Sequence, residues 1–178
     1  ALFMALSRTL VRTVAIDGRP PALALGRANE LIVADARTDL FVTMFYAILD
    51  SASSEVAYAT AGHVPALLVR AADGQVEQLR AQGMAMGVLP DVVFEERRVR
   101  VEPGDLLVIY TDGVTDTMDS ANRTFGRDRL AEIVRANRHR PATDVARAVE
   151  EALDSFAGDV AQYDDLTLLI ARRRPAAG

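Results

Sequence analysis

The sequence predicts an α+β fold, and three observations carry that prediction. Apolar residues recur at helical spacing over residues 2–34 and again over 128–157. Between these stretches, short apolar or alternating runs are separated by Asp-Gly and Pro-Gly pairs, the pattern of successive strands. The order of helices, an antiparallel strand run, helices and one last strand lacks the regular alternation of a parallel doubly wound sheet.

Each element has its own residue-level reason. In residues 2–16, Phe3, Leu6, Leu10 and Val14 share a helical face, with Arg8 and Arg12 on another. Asp17-Gly18 breaks that helix. Pro20-Pro21 opens a second helix running to about Ala34 and carrying Leu25, Ala28, Leu31 and Ile32. Phe41 to Leu49 is β-rich and Glu55 to Ala59 is a short strand. Ala66–Arg70 pairs with Gln75–Leu79 across Asp73-Gly74, a strong hairpin-turn signal. Glu95–Val101 alternates charged and apolar residues, as a half-solvated strand does. Glu102-Pro103-Gly104-Asp105 turns into the buried strand Leu106–Tyr110. Helices follow at roughly 128–138 and 143–157, with Thr143 as N-cap and Gly158 as the C-terminal stop. The final strand, 166–171, ends before Arg172-Arg173-Arg174-Pro175, so residues 172–178 read as a solvated tail.

Composition narrows the function classes. At 178 residues and 50% hydrophobic content the chain can bury one good core, so residues 1–171 read as a single domain. A net charge of -5 argues against a nucleic-acid binder, which needs a basic face. All 20 basic residues are arginine, a bias attributed to a GC-rich genome. The absence of cysteine fits a reducing compartment, and the localisation read from it is cytoplasmic. No run reaches the roughly 18 apolar residues of a membrane span. The apolar N-terminus is interrupted by Arg8 and Arg12, with no cleavage site after it, so it is no signal peptide. The missing initiator Met, and an opening already in helical register, read as a segment cut from a longer chain.

The chemistry concentrates in two acidic motifs at strand ends. The strand Leu106–Tyr110 runs into Thr111-Asp112-Gly113, and Asp164-Asp165-Leu166-Thr167 opens the strand Leu168–Ala171. If the strands are antiparallel neighbours, the two sets of carboxylates meet at one rim. Clustered carboxylates repel unless they are protonated or share a cation, and hard divalent ions such as Mg²⁺ or Mn²⁺ favour all-oxygen sites. Such a site can activate water against a phosphate ester.

Six segments in order carry a family resemblance across roughly residues 1–171: Thr43-Met44-Phe45-Tyr46-Ala47, Ala61-Gly62-His63-Val64-Pro65, Gly83-Met84-Ala85-Met86-Gly87, Gly104-Asp105 through Thr111-Asp112-Gly113-Val114-Thr115-Asp116, Phe125-Gly126, and Asp164-Asp165-Leu166-Thr167. The chain resembles the metal-dependent protein phosphatases (the PPM, or protein phosphatase 2C, family) in their SpoIIE-like branch. The resemblance implies an α-β-β-α sandwich, two antiparallel sheets flanked by helices. It implies two Mn²⁺ or Mg²⁺ ions bridged by a water that attacks phosphoserine or phosphothreonine in line, without a phosphoenzyme. On the motif match Asp112 and Asp164 are the catalytic metal ligands, with Gly113 and Asp165 beside them in the metal site. The implied substrate is a phosphorylated regulatory protein, in this branch an anti-sigma factor antagonist, and the parent chain would carry an upstream sensor domain. Family members begin with an acidic strand segment holding another Asp ligand, then a Gly-His-Gly motif. Residue 1 falls just after that point, so the domain reads as N-terminally truncated and the segment alone as weakly metal-binding or inactive.

Other residues read as structural. His63 sits in a strand-turn context distinct from the family's Gly-His-Gly site, and His139 reads as a surface helix terminus. Asp116 is either an accessory metal contact or a solvated loop carboxylate. Phe45 and Tyr46 read as core, and Asp119, Asn122 and Arg123 as a polar loop beside the site. Two further classes stand beside the phosphatase reading. One is a non-catalytic regulatory module that keeps the fold. The other is a haloacid-dehalogenase-type phosphatase, set aside because Tyr110 occupies the place of the required Asp nucleophile and the strand order is not parallel.

Overall fold

The computed structural model describes residues 2–16, 18–35, 40–162 and 164–174. Asp17 and the tail from Pro175 onward lie outside the described residues, as do the side chains of Phe3 and Leu6. In chain order the elements are α1 (Leu2–Ile16), α2 (Pro21–Asp35), β1 (Met44–Asp50), β2 (Glu55–Ala61), β3 (Ala66–Val69), β4 (Val76–Leu79), β5 (Arg97–Arg100), β6 (Leu106–Tyr110), α3 (Asp112–Asp116), α4 (Arg127–Ala136), α5 (Ala142–Ala157) and β7 (Leu168–Arg172). They group into two compact units. One holds Ala1–His63 with Arg80–Arg100, the other Val64–Leu79 with Val101–Gly178. Each unit has its own antiparallel sheet and its own helices.

The first unit carries a three-stranded sheet in the order β1-β2-β5. β1 and β2 form a hairpin in register from Met44↔Ala61 to Asp50↔Glu55. Asp50 closes the turn by accepting the Ala52 amide at 2.9 Å and the Ser53 hydroxyl at 2.7 Å. Those bonds, Ser53 foremost, hold its carboxyl below the ordinary range. Helix α2 begins at Pro21, whose missing N–H costs nothing at a first helical position. It buries Leu25, Ala28 and Ile32 with Ala59, Ala61 and Met86. Asn29, also buried, donates to the Leu89 carbonyl and accepts the Gly87 amide, both at 2.9 Å, and so fixes the turn at 87–89. Phe45 stacks on Tyr58 with centroids 5.6 Å apart, and Tyr46 packs against the same core, as expected of both residues.

The second unit carries a four-stranded sheet in the order β4-β3-β6-β7. The β3–β4 hairpin turns at Gly74, whose φ of 74° suits a residue without a Cβ. Asp105 is 2% exposed and organises the entry to β6. It accepts the Glu102 and Ala71 amides, and pairs with Arg70 at 2.9 Å. Helices α4 and α5 bury Leu130, Val134, Val145, Val149 and Leu153 with Leu67, Leu106, Val108 and Tyr110 of the sheet. The i, i+4, i+8 spacing of Val145, Val149 and Leu153 is the stripe a one-sided helix needs. Arg129 links the two helices, its guanidinium 4.4 Å from the Phe156 centroid and 5.4 Å from that of Phe125.

Three local expectations are corrected. Thr143 is not an N-cap: α5 starts at Ala142 behind Pro141, with no side-chain cap, because proline's fixed φ already directs the chain into the helix. The segment after β6 is not an irregular loop but the one-turn helix α3, too short to show a period. The last strand is not 166–171 with a solvated tail from 172: β7 runs Leu168–Arg172 as an edge strand, and Arg172 is half-buried and donates to the Arg140 carbonyl. Gly158 does end α5, at φ 57°. Among the described residues, no helix is long and apolar enough to cross a membrane.

Candidate active site

The two acidic motifs meet because β6 and β7 pair antiparallel. Their register runs from Leu106↔Arg172 to Tyr110↔Leu168, so the end of β6 lies beside the start of β7. Thr111 extends the ladder by one bond, its amide donating to the Thr167 carbonyl at 3.0 Å. Its hydroxyl then accepts the Thr167 amide at 3.0 Å and donates to the Asp165 carbonyl at 3.2 Å. Gly113 lies against the same carbonyl: a Cβ there would come within 2.5 Å of the Asp165 oxygen. Thr111 and Gly113 thus press the Asp112 turn against the Asp164-Asp165 segment.

Asp112 opens α3 and is exposed, as are Asp164 and Asp165. Asp112 Oδ1 accepts the Gly113 amide at 3.1 Å, and Asp164 Oδ1 accepts the Asp165 amide at 2.7 Å. The Gly113 carbonyl accepts the Thr117 hydroxyl at 2.8 Å, and the Asp164 carbonyl accepts the Gln162 amide group at 2.6 Å. Among the described residues, no arginine pairs with any of these three aspartates. Unpaired, water-facing carboxylate oxygens are the donor set that a hard divalent cation takes. In kind, the residues present fit Mg²⁺ or Mn²⁺. In number they supply part of a coordination shell, because no three acidic or imidazole groups converge on one point among the described residues.

The residues read as structural fall near where the sequence put them, except that Asp116 ends α3 rather than lying in a loop and His139 lies past the end of α4. His63 stands in a turn closed by Thr60 Oγ1, which accepts its amide at 3.3 Å, and its ring Nδ1 lies 3.4 Å from the Thr43 hydroxyl. His139 is exposed, and its carbonyl accepts from Arg172. Asp116 is exposed and lies 3.3 Å from the Thr115 hydroxyl. Asp119 is more than a loop residue. It is 7% exposed, accepts the Ala121 and Arg123 amides at 2.9 Å each, and clasps the Arg123 guanidinium at 2.6 Å. The Arg123 amide is the main cause that holds its carboxyl below the ordinary range, followed by the guanidinium. Asp-x-x-x-Arg was the available signal for this clasp.

Comparison with known proteins decides the family. The model of the family described as Stage II sporulation protein E (SpoIIE) matches residues 1–174. The chain belongs to the SpoIIE family. It is 31% identical over 134 residues to protein IcfG of Synechocystis sp., covering 75% of this chain and 21% of that protein. It is 26% identical over 174 residues to the phosphoserine phosphatase RsbU of Bacillus subtilis, covering 98% of this chain and 51% of RsbU. The SiaA-PP2C domain of Pseudomonas aeruginosa superposes with a TM-score of 0.85 at 24% identity, covering 97% of this chain and 69% of that one, so the PP2C fold is shared. The chain spans about half the length of RsbU and about a fifth that of IcfG. Solved proteins of the same fold include one in complex with magnesium and one from crystals presoaked with Mn.

Proposed function

We propose that this chain is the catalytic segment of a metal-dependent protein phosphatase that hydrolyses phosphoserine or phosphothreonine on a regulatory protein, an anti-sigma factor antagonist being the substrate in view. The observation that carries the reading is the Thr111 hydroxyl bonded to both Asp165 and Thr167, which holds two acidic motifs side by side at one rim. Similarity to a phosphoserine phosphatase over nearly the whole chain supports the reaction class. Asp112 and Asp164 are the residues that would hold Mn²⁺ or Mg²⁺, with Asp165 and the Gly113 carbonyl alongside. Bound there, such ions supply positive charge to the phosphate and acidify water. The chain's own part is placement: the β6–β7 register and the Thr111 bonds bring together the two segments that bear these carboxylates.

Asp112→Asn tests the assignment in the whole protein that carries this chain. Hydrolysis of p-nitrophenyl phosphate and of a phosphoserine protein should fall at least about 10²–10³-fold, the loss typical of one electrostatic stabiliser. Folding should be spared, because the change relieves repulsion among like charges. Undiminished turnover would exclude Asp112 as a ligand. The absence of a three-acid cluster among the described residues favours a second reading, a non-catalytic module that binds the phosphoprotein. Partner binding by the whole protein without Mn²⁺-dependent turnover would select it.

A further inference from the structure

Beside the acidic rim lies a groove of about 520 Å³ that the preceding chemistry uses only at Gly113 and Asp164. Its apolar lining comes from Leu153 of α5, Met118 after α3, and Val160 and Leu166 of the segment leading into β7. Met118, Val160 and Leu166 are 44%, 36% and 39% exposed, so the groove presents apolar surface to incoming chains. Its charged lining residues are Asp116, Asp154 and Asp164, all of one sign. If Asp164 is committed to a metal, Asp116 and Asp154 still leave the groove acidic.

Helix α5 supplies a second, independent electrostatic argument. Its last turn ends at Ala157 and contains no basic residue, yet it carries Asp154. A helix C-terminus bears partial negative charge and favours cations, so a carboxylate there opposes the dipole. Among the described residues no arginine pairs with Asp154. A local arrangement that is unfavourable without a partner is where a functional contact belongs.

We propose that this groove binds an arginine or lysine side chain of the phosphoprotein substrate, a few residues from the phosphorylated serine. The inference rests on the phosphatase reading for the identity of the bound chain. The aliphatic stem of the substrate residue lies over Leu153 and Val160, and its cationic head meets Asp154 and the carbonyl end of α5. Gly113 and Asp164 line the same groove, so a chain anchored there passes the acidic rim. The substrates are thereby set apart from acidic-flanked phosphopeptides, which the rim repels.

The experiment measures fluorescence anisotropy of labelled serine and phosphoserine peptides with Arg, Ala or Glu placed at each of about five positions on either side. Against the Ala peptide, one Arg position should raise affinity about three- to tenfold, the range of partly screened charge pairs, and the gain should shrink with added salt. Asp154→Asn should reduce the Arg preference to about one, and Asp154→Arg should turn it in favour of Glu. Glu150→Gln, on the same helix but outside the groove, should keep the preference. No Arg preference in the wild type, or a preference undiminished in both Asp154 variants, overturns the proposal. Turnover of p-nitrophenyl phosphate, which has no flanking residues, by the whole protein that carries this chain reports separately on the phosphatase reading. Arg preference without turnover refutes that reading and keeps the groove, while turnover without preference does the reverse.

Discussion

Gly113 owes its place to the main chain opposite. A Cβ would stand 2.5 Å from the Asp165 carbonyl oxygen, and backbone cannot swing away as a side-chain tip can. Gly113→Ala should therefore push the two acidic segments apart at a cost of about 1–3 kcal/mol, seen as a lower urea midpoint at unchanged slope. A variant as stable as the wild type would show that the close approach is dispensable. In sequence, Asp-Gly announces a turn or a ligand neighbour, and nothing local announces the strand that forbids the Cβ. Asp119 and Arg123 were legible as loop residues but not as a clasp. The role of Asp119 depends on a loop folding back so that Arg123 meets it from both backbone and side chain. Because its pKa lies below the usual 3.8, the unfolded chain binds that proton more readily. The stabilisation is thus complete above the ordinary carboxylate pKa and is lost as pH falls below it. The stability gap between wild type and Asp119→Asn should be widest near about pH 7 and narrow towards about pH 3. A gap that stays constant over that range would mean that the clasp does not depend on charge.

At the scale of elements, the β6–β7 rim was the most legible feature and α3 the least. Strands of five residues between Gly or Pro punctuation can be read from apolar runs, and β6 and β7 do pair antiparallel. A five-residue helix containing Gly113 offers no period to read. The groove was illegible for a related reason, since its lining runs from Gly113 to Leu166 and is assembled by the fold. What joins β6 to the start of β7 beyond the ladder is Thr111. Thr111→Val removes a hydroxyl that accepts from Thr167 and donates to Asp165. Each lost bond should cost about 0.5–1.5 kcal/mol. Amide exchange at Thr167 should quicken, and activity should fall although no carboxylate has changed. Unaltered protection at Thr167 would show that the rim holds without the hydroxyl.

For the molecule as a whole, hydrophobic content told how much could be buried but not in how many places. Leu25, Ala28 and Ile32 belong to one cluster and Leu106, Val108 and Leu130 to another, in different units. The same limit applies to charge. A net charge of -5 says that cations are attracted, while only geometry says how many oxygens a given cation can reach. Asp112, Asp164 and Asp165 are exposed at one rim, and no three acidic groups converge among the described residues. Mg²⁺ demands a near-octahedral shell and makes up missing protein ligands with its own waters, which leaves binding weak. Calorimetric titration of this 178-residue chain with Mn²⁺ should therefore show one weakly held ion, or none at micromolar metal. Asp112→Asn should abolish whatever heat is seen, and Glu150→Gln, on the exposed face of α5, should not. Two tightly held ions together with phosphatase turnover would show that the carboxylates of this chain already form a complete centre. The partial-shell argument would then be wrong, and the missing oxygens would have to come from residues outside the rim.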